Sequence, residues 1–224
     1  MSTSLTPDVV AALQAFDACA IANTLEAFDL RLRNEGFMDA SVASVFPELP
    51  PAIGHAVTAR IRCSTPPPTG RSYHDRTDWW TYILTVPAPR VVVVEDADVK
   101  PGFGGWVGEV HAEILRALGC VGYVTNGSVR DLPAVRAAGF PMFAGSVAVS
   151  HAFAHLVEFG APVTVGGLTV SSGDVLFADV HGVLSLPTAA LPTLAAATAL
   201  LLSRERAVIE LCRSSRFSLP DLRN

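Results

Sequence analysis

At 224 residues the chain is long enough for one domain with a sizeable core and short for several. Half of its residues are hydrophobic and only 17% are charged, which argues against an intrinsically disordered chain. A net charge of −5, with no arginine-rich window and a single lysine (Lys100), argues against a nucleic-acid binder, which needs a basic patch.

The start of the chain, Met1 to Asp8, has neither a basic n-region nor an apolar h-region, so no signal peptide is expected. Thr6-Pro7-Asp8 reads as a helix start, with Thr6 as N-cap and proline in the first turn. Val9, Val10, Leu13, Phe16, Ile21, Leu25 and Phe28 continue an apolar stripe to about residue 30, as one helix or two. Residues 31–54 read as an irregular connection, and His55–Arg62 as a strand. Pro66-Pro67-Pro68-Thr69-Gly70 reads as a loop tip and Asp75–Leu84 as a short helix; Tyr73 to Arg76 is a segment that could shape specificity. Arg90–Glu95, with four consecutive valines, reads as a strand buried on both faces.

A glycine-rich loop then opens a helix over about 109–118, followed by a strand over Val121–Thr125 and a turn at Asn126-Gly127. Asp131 is placed to cap a helix that has Pro133 in its first turn and ends near Gly139. Short β runs from Phe140 to Leu186 are separated by turns at Gly145, Gly160, Gly166-Gly167, Ser172-Gly173-Asp174 and Gly182, and residues 188–213 form a long helix. The Leu191–Leu202 run is too short to cross a bilayer. Cys19, Cys63, Cys120 and Cys212 lack a C-x-x-C spacing and fall in apolar surroundings; buried free thiols, and with them a reducing cytoplasm, are expected. The sum is one α/β domain with βαβ character in the middle and a β-rich second half.

The chemistry concentrates between Gly102 and Asp131. Twenty residues separate Glu109 from the pair Arg130-Asp131, and a helix followed by a strand would return both ends to one sheet edge. Singly, each residue has a structural role: Glu109 complements a helix dipole, Asp131 caps a helix and Arg130 is a surface charge. Together, beside a glycine loop, they make a site. Helix N-termini bind carboxylates through free N–H groups, arginine clamps a carboxylate with two bonds, and aspartate offers hard oxygen to Mg²⁺ or Mn²⁺. The glycine spacing does not fit a dinucleotide loop, and neither a G-x-S-x-G elbow nor a Walker A sequence is present. His151 and His155 lack the glutamate of H-E-x-x-H and read as packing or surface histidines; Asp174, Asp179 and His181 read as turn residues of a hairpin.

Gly108-Glu109, Arg130-Asp131, Gly139-Phe140-Pro141-x-Phe143 and Ser172-Gly173-Asp174-x3-Ala178-Asp179-x-His181-Gly182-Val183 resemble the regulator-of-ribonuclease-activity A-like family, which includes the 4-hydroxy-4-methyl-2-oxoglutarate aldolases. The likeness runs from about residue 50 to 187. It implies one domain over 1–224, an α/β/α sandwich with a swivelling-domain-like β/β/α core, an N-terminal helical segment at 7–30 and a C-terminal helix at 188–213. It also implies a homotrimer or a dimer of trimers with sites at subunit interfaces; charge and the short apolar run argue for no nucleic-acid and no membrane partner.

The implied roles agree with the reading from residues. Gly108, Glu109, Val110 and His111 would line a 2-oxo acid, Arg130 would clamp its pyruvyl part, and Asp131 would hold a divalent metal, Mg²⁺ or Mn²⁺. Glu109 would contact the metal's waters or move a proton. The implied activity is a divalent-metal-dependent lyase that releases pyruvate, by retro-aldol cleavage or by decarboxylation of oxaloacetate. The alternative is a non-catalytic protein-binding regulator of RNA-degradation machinery. Lys100, in a charged turn, is the sole candidate for a Schiff base, so metal chemistry is favoured. Ala134 stands where aldolase members carry an acid three residues after the motif aspartate.

Overall fold

The computed structural model describes residues 5–68, 76–215 and 217–222. Thr6 caps the first helix as its position predicts, its hydroxyl accepting from the Val9 N–H at 3.3 Å. The N-terminal stripe divides into α1 (Pro7–Leu13) and α2 (Ala18–Ala27). Asp17 sets the break: its carboxylate accepts from the Ala20 N–H at 2.7 Å and starts the second helix.

Chain order continues through β1 (Ala43–Ser44), β2 (Ala52–Arg62), α3 (Arg76–Thr85), β3 (Arg90–Asp96) and β4 (Gly105–Val107). Then come α4 (Glu109–Ala117), β5 (Cys120–Val129), α5 (Leu132–Ala137), β6 (Met142–Val147) and β7 (His155–Phe159). The hairpins β8 (Val163–Val165) with β9 (Leu168–Val170) and β10 (Val175–Asp179) with β11 (Gly182–Leu186) precede α6 (Leu191–Arg213) and the short α7 (Leu219–Leu222).

The main sheet runs β1-β6-β5-β3-β2-β10-β11, with β4 beside β5 and β7 beside β2. Strands β2, β3, β5 and β6 are parallel, joined by helical crossovers; β10, β11, β7 and β1 pair antiparallel. The two sheet edges almost meet. Phe37 bridges Leu184 of β11, the Met38 N–H donates to the Val183 carbonyl at 2.9 Å, and β1 pairs with β6, so residues 37–44 run from one edge to the other. The expected α/β single domain is therefore a mixed sheet curled nearly closed, with helices outside it.

The valine run of β3 explains why. Val91 and Val93 face an inner core with Val124, Phe143 and Leu176, while Val92 and Val94 pack outward with Trp79, Leu115 and Tyr123 beneath α3, α4 and α5. All four are fully buried, each contributing on the order of 1.5 kcal/mol or more from apolar burial. A third cluster seats α1, α2 and α6 on β10 and β11 through Leu13, Ile21, Phe177 and Leu194. Among the described residues no single helix is long and apolar enough to cross a membrane.

Several expectations change. Asn126-Gly127 is not a turn but a bulge inside β5, where the register shifts between Thr125 and Ser128. The Asn126 side chain replaces a strand partner, accepting from the Asp96 N–H at 2.7 Å and donating to its carbonyl at 3.1 Å. Gly145 lies within β6, where a Cβ would come within 2.4 Å of the Asn126 carbonyl. Cys63 and Cys120 are buried as expected, but Cys19 and Cys212 are exposed. Thr69, Gly70 and the Tyr73–Asp75 part of the specificity segment and helix start lie outside the described residues.

Candidate active site

The parallel neighbours β4 and β5 end together, with the Arg130 N–H donating to the Val107 carbonyl at 3.1 Å. Beyond these ends the chain yields Gly108 and the α4 N-terminus on one side and Arg130-Asp131 on the other. The carboxyl ends of parallel strands are where open α/β sheets bind ligands. The structure thus brings together Gly108, Glu109, Arg130 and Asp131 as their spacing predicts.

Asp131 sits before α5 but makes no side-chain cap bond to it. Its backbone is left-handed, φ 56° and ψ 38°, a strained conformation for a residue other than glycine. That conformation turns the carboxylate back toward α4: Oδ2 accepts from the Glu109 N–H at 3.1 Å, and Oδ1 lies 3.2 Å from Arg130 Nε. Gly108 makes this approach feasible, since a Cβ there would stand 2.2 Å from Asp131 Oδ2. With Glu109 N–H taken by Asp131, the N–H groups of Val110 and His111 head the helix without an intrahelical carbonyl to meet them.

These groups border a cavity of 460 Å³ whose wall includes Gly108, Val110, His111, Arg130 and Asp131. Glu109 is exposed at the helix start, and its side chain does not line the cavity. The rest of the lining includes Arg76, Trp80, Trp106 and the 151–155 segment, which carries His151, Phe153 and His155. Sequence reasoning treated His151 and His155 as packing or surface residues. They reach the site because the chain folds back over the glycine loop: the Gly105 N–H donates to the Ser150 carbonyl at 2.9 Å, and a Cβ on Gly104 would meet the His151 carbonyl at 2.5 Å. The paired glycines before Trp106 were the available signal of such a close chain crossing.

His111 is 7% exposed, and its Nδ1 lies 3.3 Å from the Trp106 carbonyl. Burial pushes its pKa down to about 4, with the Arg76 charge adding to the effect and the Trp106 carbonyl opposing it, so the ring is neutral near pH 7. Lys100 lies in a separate hollow with Asp98 and Phe103 and does not line the cavity. In the hairpin, Asp179 accepts from the Ala18 and His181 N–H groups at 2.8 Å each and Asp174 from the Ser171 N–H at 2.8 Å, the contacts of turn residues.

A metal fits the donors at hand. Asp131 and Glu109 offer hard carboxylate oxygens, and among the described residues no cluster of three His, Cys, Asp or Glu ligands includes them. A hard divalent cation held by one or two carboxylates, with water and ligand oxygens completing its shell, suits such donors. The one close cluster of potential ligands among the described residues is Cys63, Asp96 and Asp98, and it lies elsewhere. Its carboxylates are committed to the backbone: Asp98 accepts from the Cys63 and Ser64 N–H groups at 2.8 and 2.7 Å, and Asp96 from Asp98 and Gly102 at 3.2 and 2.8 Å. Burial holds the Cys63 thiol protonated, pushed up to about 12. This cluster fixes the loop that leads into the glycine-rich segment.

A nearly closed mixed sheet thus delivers a glycine-headed helix and an Arg-Asp pair to one cleft. The chain belongs to the RraA-like family, described as Aldolase/RraA, whose model matches residues 16–185. A Halalkalibacterium halodurans protein whose name proposes a 4-hydroxy-4-methyl-2-oxoglutarate aldolase is 28% identical over 81 residues, 36% of this chain and 39% of that one. The first curated relatives are matched over only 19% and 39% of their own length. Among solved structures, an uncharacterized Pseudomonas syringae protein superposes with a TM-score of 0.75 at 21% identity, covering 100% of this chain and 96% of that one. Streptomyces coelicolor RraAS2, described as an unusual member of the RNase ES inhibitor RraA family, gives 0.69 at 20% identity over 90% and 95% of the two chains. These similarities establish the fold, and the family holds both aldolase and ribonuclease-inhibitor members.

Proposed function

We propose that the protein is a divalent-metal-dependent lyase that cleaves a 2-oxo acid to release pyruvate, by retro-aldol cleavage or oxaloacetate decarboxylation. The observation that carries this reading is the strained Asp131, turned onto the α4 N-terminus beside Arg130 at the mouth of the cavity. Strain at a site-lining aspartate that leaves its own helix α5 uncapped and reaches across to the first N–H of α4 supports a role in chemistry.

In this reading the substrate carboxylate meets the free N–H groups of Val110 and His111, and Arg130 clamps the pyruvyl end. Asp131 holds the cation, which when bound supplies Lewis-acid stabilisation of charge developing on the keto oxygen. Glu109, exposed at the helix start and outside the cavity lining, is the candidate to contact the cation's waters or to move a proton. The position of Lys100 outside the cavity favours this route over a Schiff base. The protein acts as a homotrimer or dimer of trimers in the cytoplasm. Exposed Val99 and Phe103 beyond β3, and Val147 and Val149 at and beyond the end of β6, support the burial of this end by another copy.

A non-catalytic regulator of RNA-degradation machinery is the competing reading, favoured by the description of RraAS2. Arg130→Ala separates the two. The lyase reading expects Mg²⁺-stimulated pyruvate release that this variant loses with its fold intact. Absence of release in the wild type, together with capture of a ribonuclease, would favour the regulator.

A further inference from the structure

The cavity carries more positive than negative charge. Among the described residues its lining holds two arginines, Arg76 and Arg130, against one carboxylate, Asp131. That carboxylate is already engaged, since Asp131 Oδ1 lies 3.2 Å from Arg130 Nε. Among the described residues no carboxylate pairs with Arg76. A divalent cation on Asp131 would widen the imbalance, and a single substrate carboxylate at Arg130 leaves Arg76 unmatched.

Arg76 is held to the cavity by its helix. Trp79 and Ile83 are fully buried and seat α3 on the core, with the Trp79 ring 6.2 Å from that of Trp106 on β4. Arg76 and Trp80, four residues apart, form the adjacent stripe of α3. Both line the cavity, and Arg76 is exposed, so it stands at the rim. Its charge is felt inside: after burial, Arg76 is a further cause of the lowered His111 pKa. The two arginines come from different elements, the start of α3 and the end of β5, and so address different parts of a bound molecule. A guanidinium takes a carboxylate through two parallel hydrogen bonds.

We infer that Arg76 is a specificity residue that binds a second carboxylate of the substrate, at the end away from the oxo acid held by Arg130. The inference rests on the lyase reading and deepens it, because it assigns the choice between diacid and monoacid substrates to one side chain. It also gives a role to the last residue of the segment that the sequence marked for specificity. Arg76 acts on binding and leaves the bond-breaking step to the groups around Asp131.

The test compares wild type, Arg76→Gln and Arg76→Lys on two substrates that differ only at the far end. With Mg²⁺ present, pyruvate release is followed from 4-hydroxy-2-oxoglutarate and from 4-hydroxy-2-oxopentanoate, which has a methyl group where the first has its second carboxylate. The ratio of kcat/KM for diacid over monoacid falls roughly tenfold in Arg76→Gln, through a raised KM for the diacid with kcat kept. Arg76→Lys, which keeps the charge without the fork, recovers part of it. An unchanged ratio, or equal loss on both substrates in a folded Arg76→Gln, overturns the assignment. If wild type releases no pyruvate from either, the lyase reading fails by itself, and calorimetric binding of 2-oxoglutarate against 2-oxopentanoate decides the role of Arg76. Tighter binding of the diacid that Arg76→Gln abolishes upholds it. Equal binding by wild type, binding of neither acid, or a preference that survives in Arg76→Gln overturns it.

Discussion

Replacing Gly108 by alanine tests the geometry of the site with a single methyl group. The glycine is in extended backbone, φ −131° and ψ −160°, which alanine adopts without strain, so any effect comes from space. The new Cβ would stand 2.2 Å from Asp131 Oδ2 and 3.0 Å from Arg130 Cγ. Reaching ordinary contact near 3.4 Å requires the carboxylate to retreat by 3.4 − 2.2, about 1 Å, which breaks its bond to the Glu109 N–H. The Arg130 and Asp131 side chains are 30% and 37% exposed, so they can move toward solvent and the fold survives. Loss of that partly exposed bond costs about 1 kcal/mol of stability, while a displacement of roughly 1 Å in a metal-holding carboxylate lowers kcat/KM about a hundredfold. Urea unfolding and Mg²⁺-dependent pyruvate release measure the two effects. Gly139→Ala is the control: φ is +66° with nothing within 4 Å of its Cβ, so it costs stability by backbone strain and leaves catalysis alone. Gly108→Ala with near-wild-type turnover, or with stability lost and turnover per folded molecule unchanged, would refute the reasoning.

Asp131→Gly removes the left-handed strain and offsets part of the lost Glu109 bond, so stability changes by less than about 1 kcal/mol while Mg²⁺-dependent turnover disappears; calorimetry and the pyruvate assay check both. His111 makes the fold acid-labile: its pKa is about 4 when folded against 6.5 when free, so the unfolded chain binds more protons between these values. Its contribution is present above pH 6.5 and lost as pH falls toward 4, about 2 kcal/mol between pH 7.5 and 5. Urea midpoints at those two pH values should converge in His111→Leu. Arg90, 8% exposed, donates to the carbonyls of Val86 at 2.6 Å and Leu118 at 2.7 Å, joining the ends of α3 and α4. Arg90→Leu leaves those carbonyls unmatched and lowers stability by roughly 2–3 kcal/mol, read from the urea midpoint.

Much of the site was legible because it is local. A glycine-headed helix and an Arg-Asp pair twenty residues apart become neighbours as soon as β4 and β5 lie parallel, which the intervening α4 enforces. The valine run likewise announced a strand with two buried faces. What was missed depends on distant partners. Asn126-Gly127 has the chemistry of a turn, yet it stays in β5 because the Asn126 amide pairs with Asp96, thirty residues earlier. Asp131 looked like a helix cap, yet its carboxylate is drawn to Glu109 across the cleft. His151 and His155 join the cavity only through the fold-back over Gly104 and Gly105, which neither histidine signals. Near closure of the sheet by residues 37–44 carries no periodic pattern at all, since it uses one bridge and one two-residue strand.

The most direct measurement is pyruvate release from 4-hydroxy-4-methyl-2-oxoglutarate and oxaloacetate, with Mg²⁺ or with EDTA, by wild type and by Asp131→Ala. The account predicts Mg²⁺-dependent release that EDTA abolishes and that Asp131→Ala loses while remaining folded. Release that is indifferent to EDTA or survives in Asp131→Ala, or no release from either substrate by a folded, Mg²⁺-loaded wild type, would contradict it.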